Sequence, residues 1–372
     1  MKRIKESFCF LAKLSLVAVL LSSCRTTPSG TRYWRGADVG WLTELESRGA
    51  TFHYPDGTPS ECMSLLRSYG LDAVRLRVWV DPSAHGGWCD TRDLLLKARR
   101  ADSLGLAVMV DFHYSDFWAD PKKQNIPAGW SGKPYEEVLD LLGEHTREVL
   151  SALKAEGIAP RWVQVGNETS KGMLWTVRGD EWGDPIPDED GNITILESLG
   201  HLDMNPSQYA GFVGRGYESV KEVFPDAMVI VHLDNGFDQD LYDRNLDTLR
   251  KYGALWDMVG LSVYPFWAEQ SGLETDPIRC IDRSIDNINH IWEKYSTPTM
   301  IVETGFKVDE SHPEVMSEGR RQLEYLIERS SSLGEKCQGV FYWEPECSSG
   351  TYSLGAFTSR GTPTEIMEAF RK

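Results

Sequence analysis

The feature that most constrains this chain is an alternation of short apolar runs with amphipathic stretches, repeated eight times. Runs that are apolar throughout suit parallel strands buried on both faces, whereas a strand with one wet face alternates apolar and polar residues. The stretches between them have helical spacing, and the last helix is expected at 363–371. The candidate strands lie at 34–40, 72–79, 106–113, 161–167, 227–234, 256–264, 298–304 and 338–343.

This alternation predicts an α/β chain folded as a (β/α)8 TIM barrel. A doubly wound sheet is the alternative, but it would more often show fewer strands or a glycine-rich phosphate-binding turn, which the sequence lacks. No Pro- or Ser-rich linker divides residues 33–372, so this segment is expected to form one barrel domain. A long connection at about 169–205 would follow the fourth strand, where long loops are usually functional or mobile.

The N-terminal residues are expected to direct export and not to join the fold. Four basic residues lie in 1–13, and a short apolar run follows at 14–21. This order is typical of a secretory signal peptide, and the apolar run is shorter than the ~20 residues a membrane-spanning helix needs.

The segment LSSC at 21–24 resembles a bacterial lipobox. The resemblance implies cleavage before Cys24 and acylation of its sulfur, which would anchor the protein at a membrane without a spanning helix. It predicts a lipoprotein signal peptide over 1–23, a short tether over 24–32, and an exported bacterial lipoprotein on the periplasmic face or the cell surface. An ordinary signal peptide with an incidental cysteine is the alternative.

Charge and cysteine content narrow the possible partners. The formal net charge is −17, which argues against polyanionic partners such as nucleic acid or pectic acid and fits a neutral polysaccharide better. Seven cysteines are present, and loss of the signal peptide with acylation of Cys24 would leave five. An odd number leaves at least one outside an intramolecular disulfide. No C-x-x-C motif or Cys/His cluster indicates a metal site.

Polar or aromatic side chains close nearly every predicted strand, at the end where (β/α)8 barrels place their active sites. Any one of them has an ordinary explanation as a cap or a hydrogen-bonded buried group, but a core would not collect one at every strand. The set comprises Asp38, Arg75, Arg77, Asp111, His113, Tyr114, Asn167, Glu168, His232, Asp234, Asn235, Tyr264, Glu303, Trp343 and Glu344.

Two glutamates, Glu168 and Glu303, directly follow the apolar cores of the fourth and seventh strands and would face each other across the barrel mouth. A retaining glycosidase needs such a pair, one carboxylic acid to protonate the leaving oxygen and one carboxylate to attack the anomeric carbon. We expect Arg77 to keep Glu303 ionised, Tyr264 to donate to it, and partial burial to raise the pKa of Glu168. The amide of Asn167 would hydrogen-bond the sugar 2-hydroxyl.

Thirteen tryptophans suggest an aromatic-lined cleft, because a pyranose ring has an apolar face that stacks on indole. Trp343 closes the eighth strand and would lie under the sugar at the point of cleavage. A single loop tryptophan is more often a plug in the loop core than a sugar platform, so the prediction rests on the set. Its loop members are Trp88, Trp118, Trp130, Trp175 and Trp267.

These strand-end residues resemble the pattern of clan A glycoside hydrolases, and more narrowly glycoside hydrolase family 53, the arabinogalactan endo-β-1,4-galactanases. The third-strand segment with its SDFWADP turn is the part most specific to that family. The matching segments are RGADVGWL at 35–42, VRLRVWVDP at 74–82, VDFHYSDFWADPKKQNIPAGW at 110–130, VQVGNETSKGMLW at 163–175, VHLDNG at 231–236, VGLSVYPFW at 259–267, IVETGF at 301–306 and FYWEPE at 341–346.

The resemblance implies that residues 33–372 form a catalytic domain that cleaves β-1,4-galactan and type I arabinogalactan internally with retention. Glu168 would be the acid/base and Glu303 the nucleophile, with no cofactor. The expected partners are the polysaccharide and, through the lipid anchor alone, a membrane; no nucleic acid partner is expected, and the chain would be a monomer. The substrate-binding residues would be Asp38, Arg77, Asp111, His113, Tyr114, Asp116, Trp118, Asn167, His232, Asp234, Tyr264 and Trp343.

Two departures from the family pattern limit what carries over. Family members commonly continue the eighth strand as WEPAW, whereas Glu346 and Cys347 follow Pro345 here, so an outer sugar platform at that point is in doubt. Some bacterial members bind calcium in the loops after the seventh and eighth strands through closely spaced Asp, Asn and His. Residues 304–315 and 347–362 lack that cluster, so we predict no metal.

Three other functions remain as alternatives. Another clan A activity, such as a mannanase or β-1,4-glucanase, is disfavoured by the third-strand segment. A non-catalytic glycan-binding lipoprotein is disfavoured because both glutamates and Asn167 are present. A structural surface protein would leave the strand-end residues unexplained.

Overall fold

The computed structural model describes residues 32–371, and its centre is a closed barrel of parallel strands. In chain order the strands are β1 (Trp34–Asp38), β2 (Phe52–His53), β3 (Pro59–Ser60), β4 (Ala73–Val78), β5 (Ala107–Phe112), β6 (Trp162–Val165), β7 (Gly172–Val177), β8 (Ile195–His201), β9 (Met228–Leu233), β10 (Met258–Val263), β11 (Thr299–Thr304) and β12 (Cys337–Trp343). The barrel order is β1-β12-β11-β10-β9-β6-β5-β4, and β1 pairs with β4 to close it.

Helices follow the barrel strands and cover their outer faces. They are α1 (Leu42–Ser47), α2 (Cys62–Ser68), α3 (Thr91–Ser103), α4 (Tyr135–Ala155), α5 (Pro206–Val223), α6 (Gln239–Lys251), α7 (Pro265–Gln270), α8 (Pro277–Tyr295) and α9 (Pro313–Ser331). The predicted (β/α)8 barrel is confirmed, and each predicted strand matches a barrel strand to within two residues at its ends. The helix expected at 363–371 is a 3-10 helix over Glu365–Arg371.

Strand β4 shows how the sequence directs its side chains to two different environments. Val74, Leu76 and Val78 belong to the large core between barrel and helices, whereas Ala73 belongs to a separate core inside the barrel. Side chains alternate along a strand, so positions 75 and 77 also point inward. The interior core fills the lower barrel with Trp34, Ala73, Met109, Trp162, Ile230, Met258, Met300, Val302 and Phe341. Inward polar residues therefore collect at the upper, carboxyl-terminal end.

The long connection after β6 is largely ordered as an antiparallel hairpin of β7 and β8. It lies on the face of the barrel that carries the strand carboxyl ends, because it begins directly after β6. In residues 32–371, no helix is long and apolar enough to cross a bilayer. The five cysteines of this segment are all buried and free, and the predicted lipidation site Cys24 lies outside the described residues.

Candidate active site

Glu168 and Glu303 meet at the barrel mouth. Glu303 lies on β11, and Glu168 follows β6 in a left-handed backbone conformation with φ of 46°. One carboxylate oxygen from each glutamate and one ring nitrogen of His232 lie within 4.8 Å of one another. Two carboxyl groups this close repel each other when both are ionised, so one of them is favoured in the protonated form.

Arg75, on β4, is the electrostatic centre of the site. Its Nη1 lies 2.7 Å from Asp38 Oδ2 and 2.9 Å from Glu303 Oε1, and its Nη2 lies 2.8 Å from Asp111 Oδ2. The guanidinium is 1% exposed, so these charge-assisted contacts are not screened by water. The expectation that Arg77 accompanies Glu303 is therefore wrong, because Arg75 holds that position.

Arg77 serves a second network on the β1 side of the mouth. It pairs with Glu344, which also accepts hydrogen bonds from the backbone N–H groups of Gly40 and Trp41 at 3.0 Å each. Its guanidinium lies 4.3 Å from the centre of the Trp118 ring. A Cβ atom at Gly40 would lie 1.9 Å from Arg77 Nη1, so a larger residue there would displace this guanidinium. Attraction to Glu344 draws this arginine away from the glutamate pair.

A short hydrogen-bond chain supports Glu168. The hydroxyl of Ser262 on β10 donates to Glu168 Oε1 at 2.6 Å, and His232 Nε2 lies 2.8 Å from the same Ser262 oxygen. His232 Nδ1 lies 3.0 Å from Gln164 Nε2, 3.3 Å from the backbone nitrogen of Glu168 and 3.0 Å from Asn167 Oδ1. His232 therefore links Ser262, which contacts Glu168, to the side chains of Gln164 and Asn167.

Four side chains beneath the mouth form one hydrogen-bond network, namely Gln164, Asp111, His113 and Asn167. Gln164 Nε2 donates to Asp111 Oδ1 at 2.5 Å, and His113 Nε2 donates to Asp111 Oδ2 at 3.1 Å. Asn167 Oδ1 accepts from Arg75 Nη2 at 2.8 Å, and its Nδ2 donates to the Ala119 carbonyl at 2.8 Å. The amide plane of Asn167 is therefore fixed next to Glu168.

The surroundings separate the proton affinities of the two glutamates. Burial, then the charges of Glu303 and Asp234, raise the pKa of Glu168 well above its ordinary value. Burial also raises the pKa of Glu303, but Arg75 and the hydroxyl of Tyr264, which donates to Glu303 Oε2 at 3.0 Å, oppose that rise. Glu303 therefore ionises first while Glu168 keeps its proton, which is the division that acid/base and nucleophilic roles require.

The other buried ionisable groups of the site are also pushed from their ordinary pKa values. Burial lowers the pKa of His232 well below its usual range, and the positive charge of Arg75 adds to this effect. Burial raises the pKa of Asp234 to about 6. Burial opposes ionisation of Glu344 as well, but the pairing with Arg77 outweighs it and brings the pKa of Glu344 to about 2.

Four aromatic rings form one wall of the mouth. Trp343 lies 5.3 Å from Trp41, 5.8 Å from Trp118 and 4.7 Å from Tyr352, measured between ring centres. All four side chains are partly exposed, so the wall offers indole and phenol faces to the cleft. Trp267, 44% exposed, follows β10, whereas Trp130 and Trp175 are buried plugs and Trp88 is half-buried.

The predicted substrate-binding residues separate into three groups. Trp118, Tyr264 and Trp343 are partly exposed at the mouth, and Asn167 and Asp234 lie at its edge with 5% and 8% exposure. A second group is almost completely buried and bonded to other side chains, so its members position the site and are not open to a ligand. That group comprises Asp38, Arg77, Asp111, His113 and His232.

Tyr114 and Asp116 form the third group, whose polar atoms are bonded to a helix and to two loops. The hydroxyl of Tyr114 is 2.8 Å from Thr146 of α4, outside the barrel, which corrects the prediction that it contacts the substrate. Asp116 accepts backbone hydrogen bonds from Asp81 and Ala128 and thereby joins two loops.

Sequence reasoning missed four residues that the structure brings into the site, namely Ser262, Gln164, Trp41 and Tyr352. Ser262 lies on β10, two positions before Tyr264, so the alternation of side chains along a strand was an available signal for it. Gln164 lies three positions before Asn167, a spacing that alternation does not indicate. Trp41 had no comparable signal, because its place depends on the contact of its backbone with Glu344.

The close spacing of Glu168, His232 and Glu303 would also fit a metal ion. The imidazole argues against it, since Nε2 already contacts Ser262 and Nδ1 already contacts Gln164. A metal-bound histidine needs one ring nitrogen with a free lone pair. The donor set is therefore better suited to proton transfer than to metal binding.

Comparisons with known proteins give likenesses in sequence and in fold. A sequence profile for "Glycosyl hydrolase family 53" matches residues 34–360. The protein named "Uncharacterized protein in bgaB 5'region" from Niallia circulans is 30% identical over 332 residues, 83% of this chain and 82% of that protein. A probable arabinogalactan endo-β-1,4-galactanase A from Aspergillus tubingensis is 28% identical over 345 residues, 88% of this chain and 89% of that protein. A solved structure described as belonging to two fungal β-1,4-galactanases aligns with a TM-score of 0.77 at 24% identity, covering 91% of this chain and 99% of its own, a likeness of fold.

Proposed function

The chain belongs to glycosyl hydrolase family 53, and on that premise we propose that it hydrolyses the β-1,4-galactosidic linkages of galactan and type I arabinogalactan, internally and with retention. Membership confirms the family predicted from the strand-end segments and makes the protein a glycoside hydrolase. The substrate is supported by the name of the Aspergillus tubingensis relative, which matches 88% of this chain.

The observation that carries the proposed mechanism is the close approach of Glu168 and Glu303. Their nearest carboxylate oxygens are within 4.8 Å. Retaining glycosidases separate the two carboxyl groups by about 5–5.5 Å, whereas inverting enzymes separate them by about 6.5–9.5 Å to admit a water molecule. The short separation supports direct attack by one glutamate on the sugar.

In the first step, Glu303 attacks the anomeric carbon and Glu168 gives its proton to the glycosidic oxygen. Arg75 and Tyr264 hold the two oxygens of Glu303 at 2.9 and 3.0 Å, which orients the carboxylate before attack. The bond to the leaving chain breaks, and a galactosyl ester of Glu303 forms. Glu168 is then an anion stabilised by the Ser262 hydroxyl.

In the second step, Glu168 acts as the base. It takes a proton from a water molecule whose oxygen attacks the anomeric carbon, and Glu303 leaves as a carboxylate. Two inversions at one carbon give net retention. Asn167 donates one N–H to Ala119, and the second N–H of its amide is the donor proposed for the sugar 2-hydroxyl.

A prediction about substrate tests the proposal. With linear β-1,4-galactan, we expect viscosity to fall early while few reducing ends have formed, because internal cuts shorten long chains fastest. Mannan and carboxymethylcellulose, assayed in parallel, should remain intact. Chromatography of the products over time checks this directly. Galactose as the sole product in the first minutes would contradict internal cleavage, and faster release from mannan would favour the alternative activity.

We also propose that the protein is an exported lipoprotein, held at the periplasmic face or cell surface through Cys24. The basic N-terminus, the apolar run at 14–21 and the LSSC segment support this. Such a location suits an enzyme whose substrate is a polymer too large to enter a cell.

Cys24→Ala tests the anchor. We expect the variant to be released from the membrane or to remain unprocessed, because the acylated sulfur is missing. Fractionation with mass spectrometry of the N-terminus measures both outcomes, and Cys62→Ala, which changes a buried cysteine of the barrel domain, serves as the control. A Cys24→Ala protein that stays acylated and membrane-bound rules out the lipobox.

A further inference from the structure

A group of aromatic side chains continues outward from the wall of the mouth. Phe117 lies 6.0 Å from Trp118, and beyond it Trp182 lies 6.0 Å from Phe117, measured between ring centres. His85 stacks on Phe117 at 4.2 Å with an interplanar angle of 20° and lies 6.0 Å from Trp182. We call His85, Phe117 and Trp182 the outer platform.

The outer platform is open to solvent and is not a buried plug. Trp182 is 51% exposed, whereas the other tryptophans of this region, Trp130 and Trp175, are 6% and 3% exposed. A tryptophan that only filled the loop core would bury most of its indole, because that burial is its contribution to stability. An exposed indole beside two other rings is an apolar patch that suits a ligand.

The backbone around Trp182 is held by hydrogen bonds, although about half of its side chain is exposed. Asp180 Oδ1 accepts from the N–H of Trp182 at 2.8 Å and from the N–H of Asp184 at 3.0 Å. The buried ammonium of Lys123 pairs with Asp184 and donates to the Trp182 carbonyl at 3.2 Å. Asn125 donates to the carbonyl of the next residue at 3.1 Å. The turn therefore presents the indole at a fixed place, which lowers the entropy cost of binding.

We propose that the outer platform is a distal sugar-binding site that stacks a galactose residue of the polysaccharide far from the point of cleavage. The axial 4-hydroxyl of galactose leaves one ring face as continuous C–H groups, which suits indole. The acids around the turn, among them Asp180 and Glu181, suit a neutral chain better than an anionic one. The inference rests on the proposed galactanase function, and it extends the cleft past the Trp118–Trp343 wall.

Trp182→Ala is the test. On long linear galactan, we expect KM to rise roughly three- to tenfold with kcat unchanged, because the lost contact is remote from the reacting bond. On an aryl β-galactobioside, which is too short to reach the platform, both constants should match those of the parent protein. Trp182→Phe should recover most of the affinity, since the ring is retained.

Tyr252→Ala is the matched control. Tyr252 is also an exposed aromatic residue, at 43%, but it lies at the C-terminal end of α6, on the opposite face of the barrel. It should change neither substrate's kinetics. Unchanged galactan kinetics in Trp182→Ala, or equal losses on the long and short substrates, would overturn the platform.

Failure of the proposed function gives a different result, because the parent protein would then leave galactan intact. Affinity electrophoresis through linear galactan still tests the platform in that case. Retardation of the parent protein but not of Trp182→Ala supports the site, and equal migration of the two excludes it.

Discussion

Glu303→Ala is expected to lower galactan hydrolysis by more than ~10⁴-fold, beyond what loss of an acid/base group alone causes. The variant lacks the carboxylate that forms the bond to the sugar, and no neighbouring carboxylate is positioned to replace it, since Asp38 and Asp111 are fully buried against Arg75. Initial rates on galactan and on an aryl galactobioside should both fall, because attack on the anomeric carbon is needed for either substrate.

Glu168→Ala should behave differently on the two substrates. On galactan the loss should be about 10²–10⁴-fold, the usual contribution of a general acid or base. On an aryl galactobioside with a good leaving group the first step needs little protonation, so a burst of aryl alcohol should precede a slow steady state. The slow phase arises because no base activates water, and the galactosyl ester of Glu303 accumulates.

Added azide separates the two roles by stereochemistry. In Glu168→Ala, azide needs no base and should attack the galactosyl ester, giving the β-galactosyl azide. In Glu303→Ala, azide should enter the vacated space on the opposite face in one displacement, giving the α-anomer. Proton NMR of the products distinguishes the anomers. An exchange of the two anomers between the variants would mean that the roles are reversed.

Glu344→Ala is the control for this pair. Glu344 also ends a barrel strand, but it is fully buried and accepts from Arg77 and from two backbone N–H groups. Any loss of activity should follow from displacement of the Trp41 loop, should come with lower thermal stability, and should not be rescued by azide. If neither Glu168→Ala nor Glu303→Ala loses activity on galactan, the catalytic site lies elsewhere.

Arg75→Lys should have the second largest effect, on both stability and activity. A lysine ammonium cannot make all three of the ion pairs that the guanidinium makes with Asp38, Asp111 and Glu303, because its donors radiate from a single nitrogen. Removing one partner from a buried charge network costs about 3–5 kcal/mol of unfolding free energy, and we expect Arg75→Lys, which keeps the charge but loses contacts, to fall toward the lower end. Burial raises the pKa of Glu303 and the positive charge of Arg75 lowers it, so weaker contacts should let that pKa rise. The acidic limb of the kcat/KM profile should then move to higher pH, because the nucleophile must be ionised.

The matched control for this prediction is Arg100→Lys. Arg100 on α3 also contacts two carboxylates, Glu46 and Glu61, but its side chain is 27% exposed. We expect a loss of about 0–1 kcal/mol and an unchanged pH profile, since water screens the pair. Denaturant unfolding and pH–rate curves measure both quantities. If Arg75→Lys has the same stability and the same acidic limb as the parent protein, Arg75 does not stabilise the ionised form of Glu303 as proposed.

The fold could be predicted from the sequence almost in full, because it depends on local patterns. Each barrel strand is a short apolar run, and periodicity of two or about 3.6 residues distinguishes strands from helices without knowledge of the partner. The differences in detail lie outside the barrel strands. The last segment is a 3-10 helix over Glu365–Arg371, a type that periodicity does not separate from an α-helix. The long connection contains the β7–β8 hairpin.

The two central glutamates were also accessible from the sequence, for a reason of topology. The carboxyl ends of parallel strands meet at one end of a barrel, so Glu168 and Glu303 had to come near each other once the strands were assigned. The pattern of strand-end residues then sufficed to indicate the family.

The sequence by itself determined the barrel, the family and the residues that reach the mouth, while only the tertiary structure decided which of them bond to one another. Arg75 and Arg77 both point inward by strand alternation, so periodicity could not tell which one accompanies Glu303. That choice depends on Glu344, which is more than two hundred residues away and attracts Arg77. The support of Glu168 by Ser262 likewise crosses from β6 to β10. Hydrogen bonds and ion pairs depend on separations of a few ångströms between distant segments, and those separations are defined only when the barrel closes.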